Sequence, residues 1–349
     1  MPMFESKPAD SFGFKEVLYE KKDWVARVTI NRPKRYNAYS TPALAELITA
    51  FTDAANDDRV AVIVYTGAGH SAFCTGGDVV EYEKEYCTRP RDYWKYMGLF
   101  GGYIESMMRS GKPTIARLNG MAVGGGNESQ LACDLSIIAE HAFIAQVGTN
   151  VGSVACGGST QWLPIVCGDR RAREILMLNE RILPYKALDW GLVNDVAPSV
   201  VKDEEFIEHA TPEQIKKGQK SEDGYSISLE ILDKKVDAMV EKLKNKFPEC
   251  TRYTKANVNF FKDLSWFATA GHTRDWLSTH YACWEPNEGM AAFVEKRPPD
   301  VMKLRELAAE GKSSEFMWGP YKNTCAKCGA KGLPSEFGYC GACGEKLPI

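Results

Sequence analysis

A single carboxylate that follows a run of three glycines is the group in this sequence best placed to do chemistry. The glycines are Gly124, Gly125 and Gly126, and the carboxylate is Glu128. Because glycine has no Cβ, the backbone can turn sharply there and come close to a ligand. The helix expected after the turn begins with unpaired N–H groups and the positive end of its dipole. Such a helix start would stabilise an oxygen that becomes negative during a reaction.

A second glycine turn has the same construction. Gly76 and Gly77 follow a buried strand candidate at residues 60–65 and precede Asp78, which is suited to cap the next helix. The N–H groups of Gly77 and Gly125, aimed at one carbonyl oxygen, would form an oxyanion hole. A glycine run alone is also typical of a plain loop. The repeated unit, with a carboxylate at a fixed offset, favours the functional interpretation.

Four cysteines near the C-terminus form a separate candidate site. The pairs CAKCG and CGACG contain Cys325, Cys328, Cys340 and Cys343, and eleven residues separate the two pairs. Four thiolates at this spacing converge tetrahedrally on Zn²⁺ in structural zinc ribbons. Redox chemistry and disulfides are the alternatives, and a reducing compartment disfavours both. The ribbon is expected to serve as a scaffold or to dock a protein partner.

The elements that must position the first site follow from local patterning. Residues 114–118 are a short apolar, partly β-branched run, which favours a buried strand, and residues 127–134 are suited to a helix. Strand, glycine turn and helix therefore alternate, which predicts an α/β fold. Residues 201–228 are charged and show little apolar periodicity, so we expect an inserted loop that covers a pocket or is only a surface excursion.

Composition limits the remaining possibilities. The 349 residues are 44% hydrophobic and 26% charged, with a net charge of −3 and a pI of about 6.1. This balance gives no general attraction to nucleic acid or anionic membranes. The sequence shows neither a signal pattern nor an apolar run long enough to span a membrane, so we expect a cytoplasmic protein with no membrane partner. The other seven cysteines are interpreted as reduced, largely buried residues.

Three blocks of this sequence resemble those of a known superfamily. They are INRPKRYNAYS at 30–40, FCTGGD at 73–78 and GGGNE at 124–128. They are similar to the blocks of the crotonase (enoyl-CoA hydratase/isomerase) superfamily, over residues 14–200 and 232–305. The resemblance implies a spiral of repeated ββα units, a C-terminal helical region and a coenzyme A thioester as substrate. Together with the charged segment and the cysteine pairs, it divides the chain into a core at 1–200, the insertion at 201–228, helices at 229–312 and the ribbon at 320–349.

A looser resemblance points to one branch of the superfamily. EYEKEY, FPEC and the insertion after Pro198 are most similar to the ring-opening 6-oxocyclohex-1-ene-1-carbonyl-CoA hydrolases. Hydratases of the family carry a second glutamate where this chain has Gly148, whereas ring-opening relatives also carry glycine. The resemblance therefore implies water addition and C–C cleavage of a cyclic oxo-enoyl-CoA in anaerobic aromatic degradation. The rival functions are an enoyl-CoA hydratase or isomerase with one glutamate, and a non-catalytic acyl-CoA-binding scaffold.

The resemblance also implies roles for residues near the substrate's acyl group. Ser153 lies in a turn that matches the relatives and is interpreted as a positioning hydroxyl or, equally, as an ordinary turn serine. The relatives have a histidine where this chain has Val151, so the resemblance does not define which acyl group the substrate carries. Tyr86 belongs to a tyrosine stripe that is more typical of packing, but its helix starts at the second glycine turn, so it is also a candidate donor near the acyl pocket.

Contacts to coenzyme A are expected from two further places. In the resembling family the 30–40 loop lies along the nucleotide, so Arg32, Lys34 and Arg35 are candidates to pair with its phosphates. A solvated basic turn is the alternative. Residues 287–300 resemble the helix that packs at a subunit interface and reaches a neighbour's coenzyme site, which makes Phe293 and Lys296 candidates. The resemblance implies a homotrimer or homohexamer.

Overall fold

The computed structural model describes residues 6–348, whose backbone contacts divide into two compact units. The first unit contains residues 6–78, 95–149 and 154–274, and the second contains residues 79–94, 150–153 and 275–348. Residues 1–5 of the expected core and residue 349 of the expected ribbon lie outside the described residues.

Within the described residues the strands are numbered in chain order. They are β1 Val17–Lys22, β2 Val25–Ile30, β3 Val62–Gly67, β4 Ala72–Cys74, β5 Thr114–Leu118, β6 Met121–Val123, β7 Leu135–Ala139, β8 Ile144–Ala145, β9 Asp195–Ala197, β10 Val200–Lys202, β11 Glu205–Ile207, β12 Tyr225–Ile227, β13 Tyr321–Thr324 and β14 Lys331–Pro334.

The helices are numbered in the same way. They are α1 Thr41–Asn56, α2 Val79–Glu81, α3 Pro90–Met108, α4 Gly125–Ala132, α5 Ser159–Cys167, α6 Asp169–Leu178, α7 Pro184–Asp189, α8 Pro212–Lys220, α9 Glu230–Lys244, α10 Pro248–Val258, α11 Phe260–His280, α12 Trp284–Glu295 and α13 Val301–Ala309. A single π-helical turn, Tyr82–Tyr86, continues α2.

The core of the first unit is a six-stranded sheet in the order β1-β2-β3-β5-β7-β9. β1 pairs with β2 in antiparallel fashion, and the other pairs are parallel. Every residue of β3 and β5 is buried. Parallel strands covered on both faces are apolar almost throughout, which is why these two stretches could be recognised in the sequence.

A smaller parallel sheet, β4-β6-β8, brings the two glycine turns to one end of the unit. β4 pairs with β6 through Ala72 with Met121 and Cys74 with Ala122. Each strand runs directly into a glycine turn, at Gly76 and at Gly124. Because parallel strands end at the same edge, the two turns lie side by side. The α/β spiral of ββα units expected from the sequence is confirmed in this arrangement.

The segment expected to be an inserted loop is folded. Residues 201–228 contain α8 and most of a three-stranded antiparallel sheet in the order β11-β10-β12. The strands have only three residues each, too few for alternation to show in the sequence. α8 begins with a capping box at Thr211 and Gln214, a signal that was visible in the sequence.

The stretch at 229–312, expected to be helical, contains α9 to α13. Within it, α11 continues through Gly271 as a single helix. An interior glycine costs a helix only about 1 kcal/mol, which tertiary packing readily offsets. Among the described residues, no helix is long and apolar enough to cross a membrane.

The second unit contains α12, α13 and a small hairpin of β13 and β14. The hairpin belongs to the cysteine-rich tail. Cys325, Cys340 and Leu347 form its buried centre, with Leu333 and Phe337 packed against them. So few apolar side chains provide little burial energy, which indicates that the tail depends on an added cross-link or metal.

Candidate active site

The two glycine turns are in direct contact. A Cβ built on Gly76 would lie 2.9 Å from the Gly125 nitrogen, and a Cβ built on Gly125 would lie 3.2 Å from the Gly76 Cα. Gly76 has φ of 87° and Gly124 has φ of 56°, values that favour glycine. Side chains at Gly76 or Gly125 would push the turns apart.

The N–H groups of Gly77 and Gly125 are the donors at this contact. Tyr39 N donates to Gly76 O at 2.9 Å, and Asp78 N donates to Tyr39 O at 3.0 Å. Because alternate residues of a strand point their polar groups to opposite sides, the Gly77 N–H points away from Tyr39. Gly125 is the first residue of α4, where an N–H has no acceptor within the helix. Within residues 6–348, neither N–H is bonded to a protein acceptor.

Glu128 lies in the first turn of α4, the helix that starts at the triglycine turn. Its side chain is buried, with 3% of its surface exposed, and its Oε1 accepts a hydrogen bond from Gly157 N at 2.6 Å. Burial raises the pKa of this carboxyl to about 7, and backbone N–H groups of Gly157, Ser159 and Cys156 counteract part of that rise. A carboxyl that titrates near neutral pH can both accept and donate a proton.

A loop before α5 holds Glu128 in place. A Cβ built on Gly157 would lie 2.8 Å from Glu128 Oε2 and 2.5 Å from the ring of Phe100, so only glycine fits. Gln146 ties the same loop to the triglycine turn, since its Nε2 donates to Ser159 Oγ at 2.7 Å and to Gly124 O at 3.3 Å. The carboxylate and the turn therefore share one hydrogen-bonded support.

The position matched to the second glutamate of hydratases borders a cavity. Gly148 begins a short 3₁₀ turn, Gly148–Asn150, and lines a cavity of about 340 Å³. Most of the remaining wall is apolar and comes from Val154, Ala155, Pro164, Ala172, Leu176 and Met177. At Gly148 itself the chain presents no side chain to this space.

Among the cations expected near coenzyme A, Arg32 is already bonded within the protein. Its guanidinium contacts Glu16 and Asp78, each at 3.0 Å, and also donates to Ala38 O. These bonds hold the 30–40 loop against the second glycine turn. Lys34 and Arg35 occupy an exposed 3₁₀ turn, Pro33–Arg35, and remain the cations of this loop that face solvent.

The other predicted residues lie in the second unit. Ser153 Oγ is 3.3 Å from Tyr281 Oη, and Tyr281 is fully buried. Tyr86 is buried beside Tyr93, with ring centroids 5.9 Å apart. Phe293, with 56% of its surface exposed, lies in α12, and the exposed Lys296 follows it in a left-handed conformation.

Two residues of the site were missed by sequence reasoning. Tyr39 lies inside the INRPKRYNAYS block, but nothing in the sequence showed that its hydroxyl lies against Gly125. Gly157 lies in the sequence CGGS, a third glycine turn whose pairing with Glu128 was not recognised. A search for every short glycine run, and not only those followed by a carboxylate, would have found it.

The four tail cysteines converge. Their sulfur atoms all lie within 4.8 Å of one another. Cys325 Sγ is 3.7 Å from Cys343 Sγ, and Cys328 Sγ is 3.7 Å from Cys340 Sγ. A tetrahedron of sulfurs at Zn–S distances of about 2.3 Å has edges of about 3.8 Å, so the donor set fits Zn²⁺. Each pair ends in a left-handed glycine, Gly329 or Gly344, that lets the chain turn around the site.

Comparison with known proteins shows to which family this chain belongs. A family model described as "Enoyl-CoA hydratase/isomerase" matches residues 20–303. The chain belongs to the enoyl-CoA hydratase/isomerase family. The expectation from the three sequence blocks is thereby confirmed, and the protein is a crotonase-superfamily enzyme that acts on acyl-CoA.

Similar curated members of this family share one description. A 6-oxocyclohex-1-ene-1-carbonyl-CoA hydrolase of Geobacter metallireducens is 33% identical, over 82% of this chain and 81% of the relative. A hydrolase of the same description from Thauera aromatica is 30% identical, over 88% of each. The resemblance to the ring-opening hydrolases that the sequence indicated is therefore confirmed, at 33% and 30% identity to these two relatives.

Solved structures agree on the fold of the family. An enoyl-CoA hydratase from Mycobacterium avium subsp. paratuberculosis has a TM-score of 0.66 at 23% identity, covering 82% of this chain and 98% of that one. One from Bacillus anthracis has a TM-score of 0.59 at 26% identity, again covering 82% and 98%.

Proposed function

We propose that this enzyme adds water to a cyclic oxo-enoyl-CoA, such as 6-oxocyclohex-1-ene-1-carbonyl-CoA, and then opens its ring by hydrolysis. The observation that carries the proposal is the pairing of two glycine turns close to a buried carboxyl that titrates near pH 7. The names of the curated relatives support this choice of substrate, as does the glycine at position 148.

The thioester carbonyl is proposed to bind between the N–H groups of Gly77 and Gly125. Both steps of the reaction place negative charge on that oxygen, and two fixed donors stabilise it without reorganising when the charge develops. The start of α4 adds the positive end of the helix dipole. Glu128, three residues further along the helix, supplies the proton transfers.

In the first step, water adds across the ring double bond. Glu128 takes a proton as the water oxygen bonds to the β carbon, and the π electrons move to the thioester oxygen as an enolate. A proton then returns to the α carbon. Because the carboxyl has a pKa of about 7, it carries out both transfers near neutral pH.

In the second step, another water attacks the ring ketone, which stands β to the thioester. The bond between the ketone carbon and the α carbon breaks, and its electrons again form an enolate at the thioester oxygen. Protonation of the α carbon completes the step. The product is an open-chain hydroxyacyl-CoA that ends in a free carboxylate and has gained two water molecules.

Mass spectrometry after incubation with 6-oxocyclohex-1-ene-1-carbonyl-CoA tests the proposal. An acyl-CoA heavier than the substrate by two waters is the expected product. A second candidate, a simple enoyl-CoA hydratase with one glutamate, is supported by the description of the matching family model. It would release a product that has gained one water, together with turnover of crotonyl-CoA and no ring opening.

Binding of coenzyme A is proposed to use the exposed cations of the 30–40 loop. Lys34 and Arg35 face solvent, whereas the guanidinium of Arg32 is bonded to Glu16 and Asp78. We therefore assign phosphate contacts to Lys34 and Arg35, and to Arg32 the role of holding the loop. Alanine at each position separates the two roles: loss of an exposed phosphate contact raises the KM for acyl-CoA, whereas loss of Arg32 also lowers the melting temperature.

In the second unit, Ser153 and Tyr86 are proposed to position the acyl group. The hydrogen-bond distance between Ser153 and Tyr281 gives this serine a fixed direction and supports the role. Phe293 and Lys296 are proposed to reach the coenzyme site of a neighbouring subunit. Replacing Ser153 by alanine is expected to lower kcat for the oxo-enoyl substrate more than for crotonyl-CoA, which has no ring oxygen to position.

The tail is proposed to hold a structural Zn²⁺ through Cys325, Cys328, Cys340 and Cys343. Their sulfur geometry fits a tetrahedral ion, which would supply the cross-link that the small apolar centre lacks. The folded tail is then available to dock a protein partner. Elemental analysis should find about one zinc per chain, and none after Cys328 and Cys343 are both replaced by serine.

The enzyme is proposed to assemble as a homotrimer or homohexamer and to work in the cytoplasm. Exposed apolar side chains on α10 and α11 support assembly, since such patches mark protein interfaces. They are Val258, Phe260, Phe261, Leu264 and Phe267. Light scattering after size-exclusion chromatography measures the subunit number, and a monomer at micromolar concentration would contradict the proposal.

A further inference from the structure

We infer that Tyr39 is the positioning residue that sets the distance between the two oxyanion-hole donors, because it is bonded to one glycine turn and touches the other. Its role rests on the proposed oxyanion hole at Gly77 and Gly125, but not on the identity of the acyl group.

The backbone of Tyr39 fixes the turn at Gly76 and Gly77. It forms a parallel bridge with Gly77 by donating to Gly76 O at 2.9 Å and accepting from Asp78 N at 3.0 Å. These two bonds hold the residues on both sides of Gly77. The orientation of the Gly77 N–H is therefore determined by where Tyr39 lies.

The side chain of Tyr39 fixes the triglycine turn. Its hydroxyl oxygen lies so close to Gly125 that a Cβ built on this glycine would overlap it. The hydroxyl therefore occupies the space that any other residue at position 125 would fill. Because Gly125 is the first residue of α4, this contact also limits how far the helix start can shift.

The ring of Tyr39 has little freedom to move. It is 2% exposed and stacks on Phe100 with centroids 5.7 Å apart and an interplanar angle of 24°. Tyr103 packs on it at a centroid distance of 5.7 Å. A donor pair held by one rigid residue is preorganised, and a misplacement of about 1 Å at such a site costs about a hundredfold in rate.

The test removes only the hydroxyl. Tyr39→Phe keeps the ring and the backbone bridge but opens a small space beside Gly125. The matched control is Tyr65→Phe, which removes another buried hydroxyl, the one paired with Tyr103 in the same core. Two readouts are taken: the split of kcat and KM, and the red shift of the absorption of cinnamoyl-CoA on binding, which reports how strongly its carbonyl is polarised.

Tyr39→Phe is expected to lower kcat by about tenfold to a hundredfold, with KM nearly unchanged, and to reduce the red shift of bound cinnamoyl-CoA. Tyr65→Phe is expected to lower only the melting temperature. An unchanged red shift and unchanged kcat in Tyr39→Phe would overturn the inference. If the wild-type enzyme shifts cinnamoyl-CoA but does not open the oxo-enoyl ring, the proposed reaction fails and the role of Tyr39 stands on the shift alone.

Discussion

The N–H of Gly157 donates to Glu128 Oε1 at 2.6 Å, and a Cβ on this glycine would lie 2.8 Å from Oε2 of the same carboxylate. Gly157→Ala should therefore displace Glu128 and lower kcat by about a hundredfold, since misplacement of about 1 Å has effects of that size. Steady-state kinetics with the proposed substrate and circular dichroism check the effect on activity and on folding.

Gly271→Ala is the matched control for this substitution. Gly271 lies inside α11, and a Cβ there would meet nothing within 4 Å. Alanine is the better helix former, so the control should keep full activity and raise the free energy of unfolding by up to about 1 kcal/mol. Equal loss of activity in both variants would contradict the role of Gly157.

Replacing Glu128 by glutamine should lower turnover by about 10²- to 10⁴-fold, the usual contribution of general acid–base catalysis. The side chains have the same shape, and the amide oxygen of glutamine still accepts from Gly157. The melting temperature should therefore stay within a few degrees of wild type. Turnover above a tenth of the wild-type rate would show that another group moves the protons.

Glu128 also predicts a pH dependence of stability. Its pKa is about 7 in the folded protein and 4.5 when unperturbed, so the folded state holds the proton longer. Its contribution to the free energy of unfolding is therefore present below about pH 4.5 and is lost as the pH rises to about 7. Urea denaturation across this range should show wild type losing stability relative to Glu128→Gln. A difference that does not change with pH would contradict the raised pKa.

Removal of the metal by a chelator should unfold the cysteine-rich tail while the six-stranded sheet stays folded. A structural ion stabilises only the segment that ligates it, so after treatment with a strong chelator limited proteolysis should cut first within residues 320–348, while the circular dichroism of the rest is retained. Protection restored by added Zn²⁺ is the expected reversal. A tail that resists protease equally with and without chelator would contradict the metal site.

Lys262 is expected to stabilise α4, the helix that carries Glu128. Its Nζ donates to Leu131 O at 2.6 Å and to Cys133 O at 3.4 Å, at the C-terminal end of α4, and burial lowers its pKa. Lys262→Met leaves these carbonyls unsatisfied and should cost about 1–3 kcal/mol of unfolding free energy. Lys234→Met, which removes an exposed pair with Glu230, should cost no more than about 0.5 kcal/mol.

Local patterning in the sequence was enough to locate the strands and turns that build the site. The strand at 114–118 was predicted with the bounds it has, and the strand expected at 60–65 spans Val62–Gly67. Both are buried throughout, and buried parallel strands carry a continuous apolar signal. The helix after the triglycine begins at Gly125, two residues before the expected start, because glycine conceals where a helix begins.

Local sequence patterns could not predict which residues from distant parts of the chain come into contact. Tyr39 meets Gly125, and Gly157 meets Glu128, through pairings that span tens of residues and leave no periodic mark in the sequence. The fold of 201–228 was missed because its three-residue strands are stabilised by pairing and not by propensity. The sequence by itself determined the kinds of groups, donors at glycine turns, one glutamate and four thiols. Only the tertiary structure decided which of them touch, since burial and the pKa of Glu128 depend on neighbours far away in the chain.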